Sequence, residues 1–211
     1  MSVMPITESL KEEMLSKNVW QSHCPVPINR LSIVEVQYLD FSDNIQIGSI
    51  VVFDVLAEYV VKIFHELLMI KFPIAKMKLI NEYDGDDHKS MSDNNASAFN
   101  CRYIENTNRF SMHSYGMAID VNPVQNPILS KDKSGVINIS PDQGKAYADR
   151  SILKKGMVTQ EVVNIFKKYH FSIWGGEWDE PKDWHHFQLS RDLCQRLQNS
   201  TYEEGRGILS S

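Results

Sequence analysis

The stretch Phe110–Pro123, FSMHSYGMAIDVNP, decides how this chain is read. Within it Met117, Ile119 and Val121 alternate with Gly116, Ala118 and Asp120. Successive side chains of a strand point to opposite faces, so three apolar residues enter a core while two small residues and a carboxylate share the other face. Small neighbours leave room for something to approach that carboxylate. His113 lies just before, beyond Gly116, where a bend can swing its imidazole onto the same side as Asp120.

A second stretch, Trp174–Leu189 (WGGEWDEPKDWHHFQL), has the same character. Asp183 stands three residues before His186, and Phe187 and Leu189 alternate with His186 and Gln188. His113, Asp120 and His186 together offer two imidazoles and a carboxylate. Such a set suits Zn²⁺ and leaves the fourth tetrahedral position to water, which is how catalytic zinc sites differ from closed structural ones. Bound zinc lowers the pKa of its water from about 15.7 to about 7 and polarises a carbonyl. The chemistry also needs a base that is not a ligand, to take the water's proton and pass it to a leaving amine, and Asp183 is the candidate. His185 and His186 are adjacent, so on a strand only one of them faces the metal. The distance from Asp183 favours His186.

Outward from these stretches the pattern is mixed. A polar helix is expected over Glu8–Ser16, then a proline-containing connection, CPVPIN. Alternating Val34, Val36 and Tyr38 mark a strand over Leu31–Phe41, and Gly48 is expected to end a turn before a short apolar run, Ile50–Phe53. Leu56, Tyr59, Val60, Ile63 and Leu67 recur at helical spacing with Pro73 beyond, and Met77 and Leu79 alternate with lysines as in a strand. The polar run Asp84–Ala96 reads as loop, and Thr159–Tyr169 as a second amphipathic helix capped by Thr159. Strands mixed with helices without regular alternation predict an α+β fold. Residues 1–30 are expected to be an N-terminal peripheral segment and residues 31–211 the domain that carries the site.

Composition sets limits. The chain has 211 residues and a net charge of -5 without any run of Lys or Arg, which argues against a nucleic-acid partner. No segment approaches the roughly 18 consecutive apolar residues of a membrane span. Glu8, Glu12 and Glu13 interrupt any apolar region in MSVMPITESLKEEML, so no signal peptide is expected there. That leaves a cytoplasmic protein, one released without a signal, or one whose leader has been removed. Cys24, Cys101 and Cys194 are scattered and odd in number, which predicts no disulfide framework, and the absence of CxxC excludes a cysteine-built zinc site.

Ser111 to Asp120 fits SxHxxGxAxD in full. This resembles the zinc peptidases of the D-alanyl-D-alanine carboxypeptidase and L-alanyl-D-glutamate endopeptidase family, which includes vancomycin-resistance dipeptidases and phage endolysins. The resemblance runs from about Ala96 to Leu189, while residues 1–70 carry no motif tied to function. It implies zinc held by His113, Asp120 and His186, with Asp183 as base, because the family's second His follows its Glu or Asp by three residues. It implies that Arg102, in SAFNCR, faces substrate and steadies an oxyanion or a carboxylate. Arg109 lies close enough to compete for that role. Ser111 can bond substrate or a metal ligand, or simply stabilise a turn. The implied fold is a compact domain with a central antiparallel sheet, also found in the signalling domain of hedgehog proteins. The implied substrate is a peptidoglycan stem peptide or muropeptide, cleaved between L-Ala and D-Glu or at a terminal D-Ala, and WGGxW, which resembles the endopeptidase branch, favours the former; a monomer is expected. A catalytically silent zinc-binding module of the hedgehog kind is the alternative, and Asp183 argues against it.

The remaining polar residues read as background. Glu177 is expected on the surface, and Asp86, Asp87 and His88 in a solvated loop bordering the cleft rather than at a second metal. His23, His65 and His170 stand alone. Trp174, Trp178 and Trp184 suit a substrate groove or core packing equally.

Overall fold

A computed structural model describes residues 1–210. In chain order it contains β1 (Ser2–Pro5), α1 (Glu8–Ser16), β2 (Leu31–Leu39), β3 (Ile45–Phe53), α2 (Ala57–Met69), β4 (Lys76–Met77), α3 (Asp87–Ser92) and β5 (Asn95–Ala96). There follow β6 (Ala118–Asp120), β7 (Ile128–Lys131), β8 (Ile137–Ser140), α4 (Gln160–Lys168), β9 (Ile173–Trp174), β10 (Lys182–Asp183), β11 (His186–Gln188), α5 (Arg191–Gln198) and α6 (Tyr202–Ser210). The fold is α+β. Its antiparallel strands form three sheets, ordered β1-β2-β3, β10-β7-β8 and β6-β11-β9, and β4 and β5 make a short parallel pair.

The β2–β3 hairpin is the platform. Val34, Val36 and Tyr38 turn inward as their alternation predicts, facing Ile50 and Val52 of β3. Gly48, expected at the end of a turn, lies inside β3 opposite Val36. The turn is made earlier, where the Asp40 carboxylate accepts from the backbone N–H of Ser42 and Asn44. Helix α2 covers the platform with Val60, Ile63, Phe64 and Leu67, all buried. Thr159 caps α4 through Val162 N, and α4 buries Val162, Val163, Ile165 and Phe166. The Phe166 ring stacks on Phe187 of β11 at 3.9 Å between centroids. Burying each such ring is worth about 1.5–3 kcal/mol, and it fixes which face of β11 looks inward. His186 and Gln188 are thereby left on the opposite face.

Three expectations need correction. Residues 1–30 are not peripheral: β1 pairs with β2, and Met14, Val19 and Val26 belong to the same core as α2 and β3. The polar run at 84–96 is not all loop, because Asp86 caps α3 and Asn95 bonds to Lys78 and Ser90, so that Ser90, Met91, Asn95 and Ala96 can be buried. Its buried polar side chains, Ser90 and Asn95, bond each other rather than water. Cys24 and Cys101 are joined by a disulfide across 77 residues, and only Cys194 is free, buried in α5.

Candidate metal centre

A sharp bend presents the first imidazole. The Ser111 hydroxyl accepts from His113 N at 3.3 Å and caps a 3-10 turn, Met112–Tyr115. Gly116 then adopts a left-handed conformation, φ +67°, with the site of a Cβ only 2.6 Å from Phe53 N. Any other residue there meets both backbone strain and a collision. The Gly116 carbonyl accepts from Phe53 N, which ties the bend to β3. Beyond it β6 runs antiparallel to β11 in a register that sets Asp120 opposite His186. Met117, Ile119 and Val121 fill the core, and Ala118 and Asp120 are buried as well.

His113, Asp120 and His186 therefore converge. His113 Nε2 lies 3.1 Å from Asp120 Oδ2, His186 Nδ1 lies 2.9 Å from Asp120 Oδ1, and the two imidazole nitrogens are 3.2 Å apart. The three side chains are buried, and their ligand atoms all fall within 4.8 Å of one another, close enough to share a metal ion. The outer nitrogens are held too. His113 Nδ1 donates to the Ala98 carbonyl at 2.5 Å, and Gln188 Oε1 lies 2.9 Å from His186 Nε2. Both partners are oxygen acceptors, so the nitrogen of each ring that faces Asp120 is the one left to offer a lone pair to a metal. The donor set fits a borderline-soft divalent cation such as zinc.

Asp183 stands beside this group. Its Oδ1 is buried and accepts no well-formed hydrogen bond, although His185 Nε2 approaches to 3.1 Å. We read that contact as close but poorly aligned. A buried carboxylate oxygen left without a donor is costly, and it is suited to receive a proton from a reacting water. Burial lifts the Asp183 carboxyl above the usual carboxylate range, the neighbouring Asp120 adds to this, and His185 and His186 oppose it. Burial also works to raise Asp120, but the charges of His113 and His185 and the bonds from His113 and His186 hold it well below its ordinary value. For His186, burial pulls downward, and the bond and charge of Asp120 overcome it, raising the metal-free imidazole to about 9.

The group opens on a cleft of about 810 Å³ whose walls include Arg102, Ser111, Trp178 and Arg191. Arg102 is paired with Asp87 at 2.7 Å, and its Nε is buried without a partner. Arg109 does not line the cleft; its carbonyl accepts from Ile104 N. Asp86 caps α3 and Asp87 is spent on Arg102, while His88 borders the cleft. Glu177 pairs with Lys167 on the surface. His23 stacks near Phe110, His65 is exposed on α2 and His170 packs edge-on against Tyr59, all outside the cleft. The three tryptophans divide: Trp178 faces the cleft 5.4 Å from the His186 ring, Trp174 stacks on Phe187, and Trp184 lies under the Arg150 guanidinium.

Strand alternation excluded His185 from the site, yet the structure brings it in. It precedes β11, in the turn after β10, where alternation does not apply, and its Nε2 reaches toward both Asp183 and Asp120. The doubled histidine after Asp183 was the only signal of it.

Residues 105–189 match the family model described as D-alanyl-D-alanine carboxypeptidase, in agreement with the resemblance carried by SxHxxGxAxD. The matched range begins after Arg102. No curated protein and no solved structure matches the chain.

Proposed function

We propose that this protein is a zinc-dependent peptidase that hydrolyses peptide bonds in the stem peptides of bacterial peptidoglycan, with the L-Ala–D-Glu bond as the preferred target. The observation that carries the reading is a buried His113, Asp120 and His186 group beside a buried carboxylate, Asp183, whose Oδ1 accepts no aligned hydrogen bond. The family match supports the substrate class, and WGGEW supports the endopeptidase branch.

His113 Nε2, Asp120 and His186 Nδ1 would hold the metal. When bound, zinc lowers the pKa of a coordinated water to about 7 and polarises a substrate carbonyl. Asp183 takes the proton of the attacking water at Oδ1 and passes it to the leaving amine as the C–N bond breaks. A carboxyl lifted by burial is better matched to that double duty, because a catalytic acid–base works best with a pKa near the working pH. Arg102 lines the cleft, partly exposed and paired with Asp87, and a planar guanidinium there can donate to a substrate carboxylate or a developing oxyanion. Ser111 holds the turn that presents His113, and its position in the lining also lets it meet substrate. Trp178 shields His186 from one side. The Cys24–Cys101 disulfide favours an oxidising compartment, where intact peptidoglycan is met.

The test is mass spectrometry of defined muropeptides after incubation with zinc-loaded protein. Two fragments whose combined mass exceeds the substrate by one water are expected, with the break after L-Ala. Intact muropeptide in the presence of zinc-loaded, folded protein overturns the proposal.

A further inference from the structure

The carboxylate assigned as base is reached from outside the metal group by a continuous line of contacts that begins at Arg150. This guanidinium is partly buried and has no carboxylate partner among the described residues, and burial pulls its pKa down to about 10. A desolvated cation without a counter-charge is expensive to keep. Its donors go instead to Asn126 Oδ1 at 3.0 Å and to the Val158 carbonyl at 2.6 Å, and its plane covers the Trp184 ring at 4.7 Å.

Asn126 is fully buried and makes every bond open to its side chain. Its Oδ1 also accepts from Val158 N at 2.7 Å, and its Nδ2 donates to the carbonyls of Val121, Asn122 and Gly156. The carbonyl of Asn126 is in turn the partner of His185 Nδ1 at 2.8 Å. A carbonyl can only accept, so Nδ1 carries the hydrogen and Nε2 is the edge turned toward Asp183 Oδ1, 3.1 Å away. Trp184, gripped by Arg150, is the residue between Asp183 and His185. Its own carbonyl accepts from Trp174 Nε1 at 3.0 Å. Arg150 thus holds the segment Asp183–His185 twice, by the Trp184 ring and by the side chain of Asn126, whose backbone carbonyl seats His185.

We infer that Arg150 is a positioning residue for proton transfer, acting through Asn126 and Trp184 to fix the backbone of the segment Asp183–His185 and with it the place of the Asp183 carboxylate. This rests on the assignment of Asp183 as base. It makes no contact with the metal ligands, so its loss leaves zinc in place. A base displaced by about 1 Å can cost on the order of 10²-fold in rate, and partners one contact removed from a metal site cost about 10–100-fold.

The wild-type protein, free of metal, gives the first measurement. Nitrogen-15 NMR should show a His185 Nδ1–H that exchanges slowly with solvent; rapid exchange of that proton removes the middle link and overturns the inference. The second measurement compares Arg150→Lys and Arg150→Met with wild type. Lysine keeps the charge but cannot donate to Asn126 and Val158 together while lying flat on Trp184. Both variants should bind one zinc, exchange the His185 proton faster in the metal-free state, and lose about 10–100-fold in kcat with KM within about twofold. A merely structural arginine would lower the melting temperature and leave kcat per bound zinc unchanged, and that result refutes the role. Asp183→Asn, assayed alongside, separates the two failures. If it retains wild-type kcat, the assignment of the base is wrong; if it is inactive while the Arg150 variants are unimpaired, only the present inference falls.

Discussion

Replacing Gly175 by alanine would put a methyl carbon 2.3 Å from the Asp183 carbonyl oxygen and 2.8 Å from Asp183 Cβ. Carbon contacts settle near 3.5–4.0 Å, so one of the two backbones must retreat by about 1 Å. Neither neighbour is the end of a flexible side chain. Asp183 lies in β10, and the Gly175 carbonyl accepts from Trp178 N, so relief comes by displacing β10 and the Asp183 carboxylate with it. Overpacking of this kind typically costs about 1–3 kcal/mol of stability. The larger effect falls on rate, because about 1 Å of misplacement in a catalytic group can cost on the order of 10²-fold. Gly175→Ala should therefore bind one zinc, since the added methyl collides with Asp183 and not with a metal ligand, while kcat on a muropeptide falls about 10–100-fold. Zinc content by mass spectrometry, a urea melt and steady-state kinetics on one preparation give all three quantities. Gly207→Ala is the control, because nothing lies within 4 Å of a Cβ there. A zinc-loaded Gly175→Ala protein with wild-type kcat refutes the idea that this glycine exists to seat Asp183.

Three more outcomes follow from the same geometry. Asp183→Asn should keep zinc and fold but lose about 10²–10⁴-fold in kcat, the usual worth of general acid–base catalysis; a variant that loses its zinc instead makes Asp183 a ligand. With the metal-free His186 imidazole raised to about 9, Nδ1 is protonated at pH 7 and must shed that proton to bind zinc. Calorimetry in buffers of different ionisation enthalpy should register proton release at pH 7 and affinity that rises with pH up to about 9; binding without proton release contradicts it. Cys24→Ser should lower stability by about 2–4 kcal/mol, since the disulfide closes a long loop, and an unchanged urea midpoint would show that the bond contributes nothing.

The parts of the site that the sequence revealed are those whose chemistry is written along one stretch of chain. Gly116 announces a bend, the alternation of Met117, Ile119 and Val121 announces β6, and His186 and Phe187 alternate on β11, so the approach of His113, Asp120 and His186 follows from local rules. The supports of the site were not legible because each is a long-range contact between unremarkable residues. Asn126 and Arg150 are 24 residues apart, and neither belongs to a motif. Cys24 and Cys101 pair only because β1, α1 and the connection after them pack back onto the body, a docking that the polar face of Glu8–Ser16 concealed. His185 stands one residue before β11, where the alternation that governs His186 and Phe187 does not reach. The helix at Asp87–Ser92 is hidden in the sequence because polar residues that bond one another look there like residues that bond water.

The mechanism stands on a zinc ion held by two imidazoles and one carboxylate. Crystals of the zinc-loaded protein, with diffraction recorded on both sides of the zinc absorption edge, test it most directly. One anomalous peak that vanishes below the edge is expected, about 2.0–2.1 Å from His113 Nε2 and His186 Nδ1 and about 2.0–2.2 Å from an Asp120 oxygen, with Asp183 outside bonding distance. A peak elsewhere in the molecule, or one bonded to Asp183 or His185 in place of these ligands, would contradict it.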